Sequence, residues 1–421
     1  MEFPCLDHLE SRQRTLEQDG PEPHYQKVVT GYEVYHHSRP FVCSHGGILP
    51  EFDIAYETWG TLNAARDNAV LIHTGLSASS HAKSHPKNPS PGWWEKFIGP
   101  GLAIDTNKFF VICTNVLGGC YGSTGPSSID PTTNERYGSR FPLLTVNDMI
   151  RAQFLLLDAL NINKLYASVG SSMGGMQSLM AAKLYPDRVI LMADPNFNRG
   201  FYYDKIPPHV GMKLARQIAT VTYRSGPEWE LRFGRRRMNS DQPPAFCPDY
   251  MIETYIDHQS EKFCLKFDAN SLIYLSKAMD MFDVSASVTN RLDKQRKLVE
   301  EQLEQSGLNS SIHPNPVVCM HESEQPGGAS KASPTETEAT IRRDLIQGVR
   351  DIQHPTLVLG VQSDILFPIK QQKEVADILR EVGNKRVTYY ELDALYGHDT
   401  FLIDVANVGS AIKGHLENTI L

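Results

Sequence analysis

The chain runs to 421 residues, with 49 acidic against 41 basic side chains and 41% apolar residues. That length buries a core large enough for one elaborated domain or two. A net charge of −8 excludes the concentrated basic field that a nucleic-acid or anionic-membrane surface needs, and no apolar run approaches the length of a membrane span.

Taken in order, residues 1–40 are polar, with Gly20, Pro21 and Pro23 among them, and are predicted to form a poorly anchored N-terminal arm. The opening Met1-Glu2-Phe3-Pro4-Cys5-Leu6-Asp7 lacks the charged start and long apolar stretch of a secretory signal. Seven cysteines without a C-x-x-C pair fit reduced thiols inside a cell, in the cytosol or the mitochondrion. Alternation over Phe52–Glu57 predicts a half-buried strand, and Ala69–His73 a compact one. His81 and His85 have a ligand-like spacing, but Pro86 and the surrounding Ser, Lys and Asn favour a solvated loop, so no metal site is predicted. Trp93-Trp94 predicts a packed loop beside a pocket. Phe109–Asn115 reads as a buried strand running into the Gly-rich stretch Leu117–Pro126, which lacks the lysine of a nucleotide P-loop. Thr145–Asp148 should cap a helix whose Met149, Ile150, Phe154, Leu156, Leu157 and Leu160 recur at helical spacing.

The next stretch carries chemistry. Lys164–Val169 is rich in β-formers, Met176–Leu184 in helix formers, and Gly170-Ser171-Ser172-Met173-Gly174 between them is a G-x-S-x-G turn. A serine at such a turn is lifted clear of the sheet into reach of a base, and small residues must flank it where strand and helix nearly touch. The new helix aims its free N–H groups at the place where an oxyanion would form. The Met173 N–H is one expected donor. The other is the Leu76 N–H, in the small-residue loop Thr74–Ser80 that follows a strand.

G-x-S-x-G alone is a modest signal. Asp364 after the apolar run Thr356–Val361, and His398 after the strand-like Arg386–Tyr390, complete a nucleophile, acid and base in the chain order of α/β-hydrolases. Strand–helix alternation implies a mostly parallel sheet covered by helices on both faces. The core is predicted over 41–194 and 341–421, with a helical lid over 195–305 roofing the site. A Ser/Pro/Gly/Glu-rich loop follows over 306–340. Chemistry stops at acyl transfer here: hydrolase and acyltransferase differ only in the acceptor the pocket admits.

Tyr56-Glu57-Thr58-Trp59-Gly60, Gly122-Ser123-Thr124-Gly125-Pro126, Ser171–Gln177, Phe233-Gly234-Arg235-Arg236 and Gly397-His398-Asp399 together resemble the homoserine O-acetyltransferase family, from about residue 40 onward. Ser171, Leu395–Phe401 and the Phe3–Asp7 opening are most similar to its fungal serine O-acetyltransferase branch. The resemblance implies an α/β-hydrolase fold and a ping-pong reaction with no bound cofactor. Acetyl-CoA, a co-substrate, would acetylate Ser172, and the hydroxyl of L-serine would then attack with His398 as base. It further implies that Arg216 and Tyr223 clamp the acceptor's carboxylate, that Asp399 takes its ammonium, and that lid helices form a homodimer. L-Homoserine as acceptor, an ester hydrolase and an inactive form are the alternatives. At one point the chain departs from the family. After Leu184–Val189 the family has a strand and a loop, whereas here Ile190–Asn196 follows at once. The expectation is a sheet short of one core strand after the elbow helix, unless Val189–Met192 serves as that strand.

Overall fold

The structure, a computed structural model, describes residues 29–186, 209–243, 248–264, 266–306 and 337–418. Five strands, β1 (Glu33–His37), β2 (Phe52–Trp59), β3 (Ala69–His73), β4 (Phe110–Thr114) and β5 (Leu165–Gly170), form one sheet in the order β1-β2-β4-β3-β5. β1–β2 and β2–β4 are antiparallel; β4–β3 and β3–β5 are parallel. Alternate residues of β3 serve opposite faces, as the two-residue period of a strand requires. Ala69 and Leu71 join an apolar cluster with α1 (Val146–Ala159) and α2 (Met173–Leu184). Val70 and Ile72 join a second cluster with Trp94, Phe97, Val408 and Ile412. The capping box predicted for α1 is present: Thr145 Oγ1 accepts from the Asp148 N–H, and Asp148 Oδ2 accepts from the Thr145 N–H at 2.9 Å.

The segment expected as a lid is helical where described: α3 (His209–Thr222), α4 (Gly226–Arg232), α5 (Met251–Cys264), α6 (Ala269–Asp280) and α7 (Ala286–Ser306). After α8 (Glu338–Val349), β6 (Thr356–Val361), α9 (Ile369–Glu381) and β7 (Val387–Leu392) form a parallel βαβ unit, followed by α10 (Val405–Asn418). No helix among the described residues is long and apolar enough to cross a membrane.

β6 pairs only with β7, and the outer edge of β5 has no partner among the described residues. A cavity of about 120 Å³ lies between those two edges, lined by Ala167 and Val169 from β5, by Leu357 and Leu359 from β6, and by Ile412 from α10. A right-handed crossover from β5 through α2 would return a strand beside β5, and the residues that follow α2 are outside the described ones. Val189–Met192 lies outside the described residues, as do 1–28 of the expected arm and 307–336 of the expected loop.

Two expectations change. Residues 33–37, assigned to the arm, are the sheet's edge strand, paired with Phe52–Tyr56; their polar sequence hides a strand because most of it is exposed. The alternation in β2 also slips: Phe52 and Ile54 are buried, but so are Ala55, Glu57 and Trp59. A sheet covered on both faces buries both phases of a strand.

Candidate active site

Ser172 stands between β5 and α2 with φ 58° and ψ −132°, a conformation that costs a non-glycine residue about 1–3 kcal/mol and persists where the surroundings enforce it. The two glycines of the turn explain the enforcement. A Cβ on Gly170 would stand 2.2 Å from the Gly174 oxygen, and one on Gly174 2.5 Å from the His73 oxygen. Strand, helix and the end of β3 therefore meet in backbone contact, and the serine is the residue pushed outward.

Asp364 follows β6 and is fixed by its own loop: Oδ1 accepts from the N–H groups of Leu366 and Phe367, both at 2.9 Å. Its Oδ2 lies 2.8 Å from His398 Nδ1. The imidazole is held between Phe367 and Phe401, at ring-centroid distances of 4.6 and 5.7 Å. With Nδ1 on a carboxylate, Nε2 is left to act as base; it is buried and has no hydrogen-bond partner among the described residues. Ser172, Asp364 and His398 line the same cavity between β5 and β6. Serine and imidazole share that space without a direct hydrogen bond, a contact that in such sites often tightens only when substrate is bound.

The loop after β3 is pinned to the start of α2 by Gln177 Nε2 donating to the Thr74 oxygen at 2.9 Å. The N–H groups of Leu76 and Met173 donate to no acceptor among the described residues, as oxyanion donors must be free to do. Leu76 and Ser77 line a second cavity, about 170 Å³, with Arg216, Ala219 and Phe263 from the helical segment. The Arg216 guanidinium lies 4.8 Å from the Phe263 ring centroid and 5.2 Å from that of Tyr223, and its Nε is buried without a partner among the described residues. Tyr223 stands beside it, and its hydroxyl donates to Thr220 Oγ1 at 3.2 Å. Asp399 lies beside His398 and against the helical segment: its N–H donates to the Tyr223 oxygen at 3.3 Å. Burial raises its carboxyl to about 6, against the downward pull of Arg224 and His398.

Two groups were not assigned from the sequence. Arg224 sits between Asp399 and Glu228. Glu57, His81 and His85 form a buried cluster, where a solvated loop was expected. His81 Nδ1 and His85 Nε2 meet Glu57 Oε2 at 2.8 and 2.6 Å, Ser80 donates to Oε1, and His81 Nε2 faces the Ser90 oxygen at 2.8 Å. Ligand atoms around a tetrahedral zinc ion stand roughly 3.3 Å apart, so these are hydrogen-bond contacts that tie the loop to β2. The detectable signal was Glu57 itself, a carboxylate in an apolar strand that needs partners if it turns inward.

A family model described as the alpha/beta hydrolase fold matches residues 68–192 and 188–405. Serine O-succinyltransferase from Schizosaccharomyces pombe is 50% identical, covering 99% of this chain and 95% of its own length. The chain belongs to the homoserine O-acyltransferase family of α/β-hydrolases. Serine O-succinyltransferase from Emericella nidulans is 52% identical, over 99% of this chain and 88% of the relative. Homoserine O-acetyltransferase from Bacillus anthracis has the same fold, with a TM-score of 0.70 at 24% identity over 92% of this chain and 97% of that one. The two stretches matched by the family model meet at 188–192, immediately after the elbow helix. The alignment with the S. pombe relative spans 478 positions against 421 residues here, so at least 57 of them have no counterpart in this chain.

Proposed function

We propose that this family member transfers an acyl group from an acyl-coenzyme A to the side-chain hydroxyl of L-serine through an acyl-Ser172 intermediate, supplying O-acylserine for cysteine synthesis. The observation that carries it is the strained Ser172 facing one cavity with a carboxylate-held imidazole whose Nε2 is free, in a chain half identical to serine acyltransferases. His398 Nε2 takes the Ser172 proton as Oγ attacks the thioester carbonyl, and Asp364 stabilises the imidazolium that forms. The negative charge on the tetrahedral oxygen is met by the N–H groups of Leu76 and Met173. Collapse expels the CoA thiolate, which takes the proton from His398. The acceptor hydroxyl then gives its proton to the same nitrogen, attacks the acyl-serine and leaves as ester, while Ser172 regains a proton. Arg216 is the cation available for a carboxylate beside Leu76, and Asp399 the acid available for the ammonium.

The names of the relatives put succinyl ahead of the acetyl group implied by the sequence resemblance. Comparing kcat/KM for L-serine and L-homoserine, each with succinyl-CoA and acetyl-CoA, tests both choices. L-Serine with succinyl-CoA should be fastest. One methylene is worth roughly 10–200-fold in such a pocket, so homoserine turned over far faster than serine defeats the acceptor. Free acid with no O-acyl amino acid makes the chain a hydrolase.

A further inference from the structure

Arg224 has no role in the chemistry above, yet it is the most enclosed cation near the site. Its side chain is 10% exposed and lies between two carboxylates from different elements. Nη1 bonds Glu228 Oε1 in the first turn of α4, and Nη2 stands 3.5 Å from Asp399 Oδ2 in the loop of the catalytic imidazole. The guanidinium also lies 5.7 Å from the Tyr223 ring centroid and 5.8 Å from that of Tyr255, so aromatic walls limit its movement. Around it the backbone is locked: Ser225 Oγ donates to the Leu395 oxygen, and Asp399 N–H to the Tyr223 oxygen. The helical segment and the imidazole loop are thus fastened to each other around this arginine.

We propose that Arg224 is a positioning residue for the amino-acid acceptor: held by Glu228, its guanidinium keeps the Asp399 carboxylate in place for the acceptor's ammonium group. This role rests on the proposed acyl transfer to serine, and it concerns only the second half of that reaction. The charged groups facing Asp399 are Arg224, His398, Glu228 and Arg216. Burial works against the ionised carboxylate, Glu228 adds to that pressure, and the cations oppose it, Arg224 most strongly. Without the arginine, Asp399 would take up a proton nearer neutrality, and a neutral acid has no charge to offer an ammonium. The acyl-CoA half-reaction involves no ammonium and should not register the change.

Arg224→Gln, Arg224→Lys and Glu228→Gln in the full chain test this. Each is read by acylation of Ser172 with succinyl-CoA, followed by mass, and by KM for L-serine as a function of pH. An opposite charge at this range moves a carboxyl by about 1–3 pH units, so Arg224→Gln should raise KM at about pH 7 by roughly two- to ninety-fold. The acidic limb of kcat/KM for serine should move to higher pH while acylation continues. Arg224→Lys should recover most of the loss, and Glu228→Gln should move the limb the other way, which mere loosening of the helical segment would not do. Normal acylation with KM and limb unmoved in Arg224→Gln overturns the role of Arg224 alone, as does a shift of the same sign in Glu228→Gln. Should Arg224→Gln not fold, the Lys and Glu228→Gln variants decide by the same criteria. Absence of acyl-Ser172 in the parent chain defeats the proposed function itself, and this role with it.

Discussion

The five-stranded ladder and the β6–β7 unit hold the two ends of the reaction by different means. Ser172 leaves the last strand of a five-stranded ladder, where β5 is fixed by backbone hydrogen bonds to β3 and β3 to β4. Val70, Leu71, Ile72, Val111 and Ile112 in that ladder are completely buried. Asp364 and His398 come from the β6–β7 unit, which has no backbone pairing to the ladder among the described residues. It is held there by side chains. Trp94 Nε1 donates to the Phe401 oxygen at 3.1 Å and Tyr166 Oη donates to the Leu416 oxygen, while the exposed Lys108–Glu417 pair at 2.8 Å adds little. A nucleophile on a continuous ladder is placed by covalent geometry and strain. The base opposite it is placed by packing between the two described units, and packing is the easier of the two to disturb.

Removing the chemistry itself should have the largest effect. Ser172→Ala should lower turnover by about 10⁶-fold with folding unchanged, and Asp364→Asn, which keeps the shape but favours the wrong imidazole tautomer, by about 10⁴-fold. Steady-state rates with matched circular dichroism check both. Equal, small losses would mean that the two units do not cooperate in one site.

Trp94 tests the packing between the units. It is buried and lines the cavity between them, so Trp94→Ala should cost about 3–5 kcal/mol in urea unfolding. Hydrogen exchange should rise in β6 and β7 before it rises in β3. Uniform acceleration across both units would mean that they open together.

Asp399 brings a pH term to the second half. Its folded value of about 6 lies above the 3.8 of a free carboxyl, so the folded state binds the proton more tightly. The stability it contributes is full below about pH 4 and is lost as the pH rises through about 6. Asp399→Asn should therefore stabilise the chain at about pH 8, by up to about 3 kcal/mol, and leave it unchanged near pH 4. Melting temperatures at the two pH values decide, and a gain confined to acid would reverse the sign. The smallest effect belongs to the exposed Lys108–Glu417 bridge. Lys108→Ala should leave the melting temperature unmoved, since an exposed pair contributes little once screened.

What could be seen in the sequence follows from what each feature depends on. The elbow was legible because Gly170 and Gly174 are demanded by contacts within a few residues and by one neighbouring strand. Asp364 and His398 were legible from their order along the chain, without their geometry. The cap at Thr145 is local; the departure from the family pattern after Leu184 falls on residues outside the described ones. Arg224 was hidden because its partners, Glu228 and Asp399, belong to an adjoining helix and a loop 175 residues away. Glu57 was hidden because alternation cannot tell which phase of a strand is inside when both faces are covered. β1 was hidden because an exposed edge strand carries little apolar signal.

Intact mass of the chain after acyl-CoA, with peptide mapping, tests the acyl-enzyme most directly. One acyl group should appear on Ser172 with succinyl-CoA or acetyl-CoA and should leave as O-acylserine when L-serine is added. A chain that folds but stays unmodified at Ser172, or carries its acyl group elsewhere, contradicts the mechanism.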